Sequence, residues 1–165
     1  MKKDVAKVLI IILILFFIDQ AIKIYIGITK PTLEIIHDLF SIKYVENNGS
    51  AFGIGGENLL TIIVSNFIVL GIAIKFMITQ FERIDECTKI MLCMVLAGGV
   101  SNLLDRIVRG YVIDYISVSS FPVFNLADVY IVLGWLMLVA LTAKCVFRKE
   151  QKYERKDYNI RSTNR

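Results

Sequence analysis

Two carboxylates stand out in the stretch GYVIDYISVSSFPVFNLADVYIVLG, residues 110–134. They are Asp114 and Asp128, fourteen positions apart among mostly apolar neighbours. A carboxylate in such surroundings is costly unless it is paired, hydrated or protonated. Two carboxyls held close together cannot both ionise cheaply, so such a pair tends to keep one shared proton. That arrangement suits acid–base hydrolysis: the charged member takes a proton from water while the protonated one polarises the carbonyl under attack. The competing reading is structural. Asp128 at a helix start would sit well on the N-terminal dipole, and either acid has Arg106 or Arg109 as a candidate ion-pair partner.

The elements that must position these acids are apolar runs. Of the 165 residues, 56% are hydrophobic, and the mean hydropathy is +0.62, well above ordinary soluble domains. Four runs approach the ~20 residues that cross a bilayer core as helix: roughly 6–28, 59–78, 90–108 and 126–147. The start, MKKDVAKVLIIILILFFIDQ, has the basic opening of a signal peptide but no small-x-small cleavage site, and it stays apolar past Asp19. It reads as a retained span. Fourteen Lys and Arg flank the inner ends of these runs, against four (Lys30, Lys43, Arg106, Arg109) in the two other loops. That asymmetry puts both termini in the cytoplasm. It also accounts for the net charge of +4 without nucleic acid, since no basic patch interleaves with aromatics. The expected architecture is an all-α membrane protein, a single domain over 1–165 with four transmembrane helices. A small extracytoplasmic β-structured loop and a basic cytoplasmic tail at 148–165 complete it.

The loop over 29–58 carries the β signal. Phe40, Ile42 and Tyr44 alternate with Ser41 and Lys43, the period of a strand, and Asn47-Asn48-Gly49 supplies turn residues. The third run ends just before Asp114, and Asp128 opens the fourth. Antiparallel neighbours joined by a short loop then place both acids at one membrane face and similar depth. Asn102, Asp105 and Arg106 share a helix side by their i, i+3, i+4 spacing, and Asn125 lies three residues before Asp128. Asp19 and Lys23, at i and i+4, can neutralise one another or shape a site. His37 is the only histidine and reads as a surface residue; one His supports neither a His-based triad nor an HExxH metal site. Asn66 reads as a helix–helix hydrogen-bond donor. Cys87, Cys93 and Cys145 form no CxxC pair and read as reduced thiols.

The blocks DQAIK (19–23), NNGSAFG (47–53), SNLLDRIVRGYVIDYISV (101–118) and FPVFNLADVYI (121–131) resemble those of the prolipoprotein signal peptidase family, also called signal peptidase II. The similarity runs through nearly the whole chain. The resemblance implies an aspartyl endopeptidase of the bacterial cytoplasmic membrane, with Asp114 and Asp128 as its catalytic pair. The family's supporting residues correspond to Asp19, Lys23, Asn47, Gly49, Asn102, Arg106 and Asn125. Its substrates are diacylglyceryl-modified prolipoproteins, met among membrane lipids and cut before the lipidated cysteine on the extracytoplasmic side. No metal or organic cofactor is implied. A four-helix unit with an internal site needs no partner subunit and is expected to work as a monomer. Two departures stand out: Ser101 where glycine is usual, and Ser50 where alanine is common. They bear on helix packing and substrate preference.

Rival classes fit less well. DRIVRGYVID resembles part of the membrane CDP-alcohol phosphotransferase pattern, but that family needs a longer set of metal-holding aspartates, and Val118 stands where a further acid is expected. A proton-conducting bundle should spread its acids through the membrane depth, whereas Asp19, Asp105, Asp114 and Asp128 gather towards one face. An inactive scaffold of the same shape is the third alternative.

Overall fold

The computed structural model describes residues 2–49, 58–141 and 143. In chain order these form α1 (Lys2–Thr29), β1 (Thr32–Ile36), β2 (Phe40–Asn47), α2 (Leu59–Gln80), α3 (Glu86–Arg109) and β3 (Val112–Val118), then α4 (Leu126–Leu141). Helices α1, α2 and α3 are long and apolar enough to cross a membrane. At 1.5 Å per residue, α1 is about 42 Å long, more than the ~30 Å of a hydrocarbon core. The expected basic tail, Ser50, Cys145 and the inner end of the fourth run lie outside the described residues.

Burial separates the helices by role. Along α1, Leu9, Ile10, Leu13, Ile14, Phe17 and Ile18 are all exposed. Apolar surface of that extent has only lipid to cover it. By contrast, α3 is mostly buried and forms the centre against which α1 and α2 pack. Val8, Leu70, Met77, Leu92, Cys93 and Leu96 make its main apolar contact cluster. Cys87 and Cys93 are free thiols. Two glycines set the α3–α4 approach. A β-carbon on Gly98 would collide with the Ala127 carbonyl oxygen, and one on Gly134 would come within 2.8 Å of the Met91 carbonyl oxygen. Small residues at such crossings let helix backbones come close, here bringing the start of α4 beside the last turns of α3.

Capping residues mark the ends. Asn58 and Asp85 open α2 and α3 by accepting from Leu60 N (3.1 Å) and Thr88 N (2.7 Å). Gly110 closes α3 in the left-handed region, with φ +83° and its N–H on the Arg106 carbonyl. A β-carbon penalises that conformation, so glycine there lets the chain leave the helix and enter β3 within two residues.

The sheet has three antiparallel strands in the order β1-β2-β3. It is larger than the alternation at Phe40–Tyr44 announced, because β3 joins β2 on its far side. In register, Asn47 faces Val112 and Val45 faces Asp114. Asn47 and Asp114 therefore stand as diagonal neighbours on one face. Beneath the sheet, Ile26 of α1 packs with Ile113 and Tyr115 of β3. The chain is thus mostly helical, with a small sheet at the bundle end that holds both acids.

Candidate active site

Asp114 comes from β3 and Asp128 from the first turn of α4, and both line one cavity of about 500 Å³. Asn47, Asn66, Asn102 and Arg106 add polar groups to an otherwise apolar wall that includes Ile62, Val129 and Leu133. Each carboxylate oxygen of the pair accepts a hydrogen bond. Asn125 Nδ2 donates to Asp114 Oδ1 (2.7 Å) and Asn47 Nδ2 to Asp114 Oδ2 (2.8 Å). Asn102 Nδ2 donates to Asp128 Oδ1 (2.8 Å), and the Asn125 backbone N–H to Asp128 Oδ2 (3.1 Å).

The three amides cannot turn round, because each amide oxygen is held by a group that only donates. Lys23 Nζ holds Asn102 Oδ1 at 2.8 Å. The Asp128 backbone N–H holds Asn125 Oδ1 at 2.9 Å, and the Gly49 N–H holds Asn47 Oδ1 at 2.9 Å. Asn125 also donates to Asn102 Oδ1 at 3.2 Å, so one connected set of amides ties the two acids together. Burial pushes the Asp114 carboxyl up to about 6; the Asp128 charge acts the same way, while the Asn47 and Asn125 donors pull against it.

The start of α4 is satisfied group by group. Leu126 N–H donates to the Tyr115 hydroxyl (3.2 Å), Ala127 N–H to Asp19 Oδ1 (2.8 Å), and Asp128 N–H to Asn125 Oδ1. Asn125 and Asp128 therefore form a reciprocal capping pair. The structural reading of Asp128 as a helix-start residue holds, and the same side chain still presents Oδ1 towards the cavity residues. The other structural alternative fails for hydrogen bonds: among the described residues neither acid bonds to Arg106 or Arg109. Arg109 pairs with Asp105. Arg106 reaches the carbonyls of Gly49 (3.3 Å) and Asn102 (3.5 Å), and its buried Nε has no hydrogen-bond partner among the described residues.

Asp19 and Lys23 lie behind the cavity. Both are fully buried, and Lys23 Nζ sits 2.8 Å from Asp19 Oδ2 and 2.9 Å from Asp105 Oδ2. The pairing within α1 is thus real, but it extends through Asp105 and Asn102 to the acids. His37 is exposed on the β1–β2 hairpin between Glu34 and Asp38, away from the cavity. These three make the one His/acid cluster of metal-ligand spacing among the described residues. Asn66 makes no hydrogen bond among the described residues and faces the cavity, so the helix–helix donor reading is corrected. The α2–α3 contact there is apolar, Leu70 lying against Gly99.

Three participants escaped the sequence reading: Gln20, Tyr115 and the bonding of Ser101. Ser101 Oγ donates to Asp19 Oδ2 (2.6 Å) and accepts from Gln20 Nε2 (2.8 Å), which also reaches Asp105 Oδ1 (3.0 Å). For Gln20 and Ser101 the signal was polarity inside apolar runs, where a polar side chain needs a partner. Replacing Ser101 by Ala removes one hydrogen bond to a charged group while Lys23 and Ala127 still hold Asp19. The expected cost is about 1–2 kcal/mol, read as a drop of several degrees in the unfolding midpoint in detergent; an unchanged midpoint would discard the account.

A family model described as signal peptidase (SPase) II matches residues 11–144 of this chain. The lipoprotein signal peptidase of Halothermothrix orenii is 34% identical over 138 residues, covering 80% of this chain and 92% of that protein. That of Caldicellulosiruptor bescii is 37% identical over 138 residues, covering 82% and 89%. A solved bacterial membrane enzyme superposes with a TM-score of 0.77 at 25% identity, over 84% of this chain and 88% of that one.

Proposed function

Because this chain belongs to the signal peptidase II family of lipoprotein-processing proteases, we propose that it hydrolyses diacylglyceryl-modified prolipoproteins just before the lipidated cysteine, using Asp114 and Asp128. The observation that carries this reading is the pair of acids on one cavity wall, bridged by Asn102 and Asn125 whose amide orientations are locked. Local charge supports a shared proton. Asp19 and Asp105 have Lys23 and Arg109 as partners, which among the described residues leaves Arg106 as the cation lining the cavity beside two acids. One proton retained on the pair balances that set.

The steps then balance. The ionised carboxylate removes a proton from water as its oxygen bonds to the scissile carbonyl carbon, and the protonated carboxyl donates to the carbonyl oxygen. The C–N bond then breaks as the carboxyl that took the water proton gives it to the leaving amine. The other carboxylate takes the hydroxyl proton as the carbonyl re-forms, which returns the pair to its singly protonated state. Arg106, held by the Gly49 and Asn102 carbonyls and lining the cavity, would in this reading stabilise developing oxyanion charge. The locked amides keep both carboxylates in place without reorganisation at the moment of reaction.

The membrane placement belongs to the same proposal. The chain crosses the bacterial cytoplasmic membrane four times, with both termini cytoplasmic and the sheet end outside. The count of fourteen basic residues against four supports that orientation, and the apolar α4 supports a fourth crossing. A substrate tethered by two acyl chains arrives at fixed depth, so acids at helix ends meet its peptide without extracting the lipid. The test is a cleavage assay with the purified chain acting on a lipidated precursor. An unlipidated precursor is expected to be cut at least about tenfold more slowly, as remote binding energy is lost. Equal cutting of the two would contradict lipid-guided presentation.

A further inference from the structure

One polar group on the cavity wall has no task in the hydrolysis described above. Asn66 is half-buried, seven residues after the start of α2, on a helix rich in Leu, Ile, Val and Phe. With Ile62 and Ser65 it forms one helix face, and all three line the cavity. The Ser65 hydroxyl is occupied by the Ile62 carbonyl at 2.9 Å. The Asn66 carboxamide has no hydrogen bond among the described residues. A carboxamide in a membrane-crossing helix is expensive without a partner, and no other helix supplies one among the described residues.

Its depth follows from the packing of α2 on α3. Leu70 touches Gly99, since a β-carbon on Gly99 would lie 2.7 Å from Leu70 Cδ2. Towards the sheet end, Asn66 stands four residues from Leu70, a rise of about 6 Å, and Asn102 stands three from Gly99, about 4.5 Å. Asn66 is therefore within about 2 Å of the level of Asn102, and Asn102 holds Asp128. The carboxamide, without a hydrogen-bond partner among the described residues, lines the same cavity as the acids at about their depth.

We infer that Asn66 is a substrate-binding residue that hydrogen-bonds the backbone amide of the precursor next to the bond being cut. A carboxamide carries a donor and an acceptor, which match the C=O and N–H of one extended peptide unit. An acyl ester of the lipid group presents acceptors alone and satisfies half of it. The contact works by position: it holds the chain against α2 while the acids act from the α3–α4 side. This inference rests on the peptidase reading of the cavity and assigns one of its walls.

The experiment compares the full-length wild type with Asn66→Leu in lipid nanodiscs, measuring kcat and KM for a lipidated precursor together with the unfolding midpoint. The variant is expected to raise KM about tenfold, to leave kcat within about twofold, and to unfold no earlier than the wild type. An earlier midpoint with unchanged KM would mark a structural role and overturn the inference. So would a KM equal to the wild type's. A precursor with an ester in place of the amide next to the scissile bond separates the sources. It should weaken wild-type binding but leave Asn66→Leu little changed. If instead the difference between the two proteins vanishes for a precursor carrying ether-linked alkyl chains, the contact is to the lipid esters and the peptide assignment is wrong. Failure of the wild type itself to cut the lipidated precursor would sink the peptidase reading rather than this contact.

Discussion

Asp114→Asn and Asp128→Asn are each expected to insert and fold, yet to cut a lipidated precursor at least about a thousandfold more slowly than the wild type. Asparagine keeps the size of aspartate and part of its hydrogen bonding, so the packing around α4 survives. It neither takes a proton from water nor gives one to the leaving amine. Folding offers an independent readout at Asp114. Burial holds that carboxyl at about 6 in the folded chain, against 3.8 ordinarily, so the folded state favours the protonated form. The stability this confers is present below pH ~4 and is lost as pH rises through ~6. The asparagine variant has no such loss. Its unfolding midpoint should therefore gain on the wild type's as pH is raised from 4 to 7. Near-normal cutting by either variant would remove the dyad mechanism. A midpoint difference that ignores pH would remove the account of why Asp114 is costly.

The second large effect is predicted for Lys23→Met, which keeps the volume and flexibility of the side chain but deletes its charge. The ammonium donates to Asn102 Oδ1 at 2.8 Å and lies in ion-pair range of Asp19 Oδ2 and Asp105 Oδ2, at 2.8 and 2.9 Å. Removing one member of a buried ion network leaves carboxylate charge uncompensated, at a cost of about 3–5 kcal/mol. Asp105 keeps Arg109 and Gln20, so Asp19 takes most of the penalty. Adding Asp19→Asn to Lys23→Met should restore part of the lost stability. Activity should fall further than the folded fraction, because Asn102 Oδ1 then keeps only the longer Asn125 bond of 3.2 Å and is held less firmly away from Asp128. A single variant as stable as the wild type in detergent unfolding would show that the network contributes nothing.

These two experiments touch parts of the molecule that differ in how far they could be foreseen. Lys23 and Asp19 were recognisable as an i, i+4 pair from spacing alone. That the pair reaches across to Asp105 and Asn102 was not, because those residues sit on another helix some eighty positions away and spacing carries no information between helices. The same holds for Tyr115, whose hydroxyl closes the start of α4 from a strand. β3 itself was missed for a related reason. The run VIDYISV has no clean alternation, since it is buried on nearly every residue, and a strand covered on both faces loses its period-two signature. Asn66 was noticed but assigned to the wrong partner: polarity in a span says that something must satisfy it, not what. The resemblance to signal peptidase II supplied the two acids and their helpers at once, where the residues taken singly left dyad and cap both open.

Composition and periodicity by themselves determined that the chain lives in lipid, where its first three helices lie, that a strand begins near Phe40, and that its acids gather at one end. All of these depend on local residue order, and hydrophobic length and charge bias are local quantities. Tertiary structure alone decided that Asp128 both caps a helix and lines one cavity with Asp114, that three amides are locked towards the two acids, and that Ser101 and Gln20 join a buried ion network. Such facts rest on close approach between elements, made possible by Gly98 and Gly134 at the α3–α4 crossing. No single segment of sequence encodes the distance between two others.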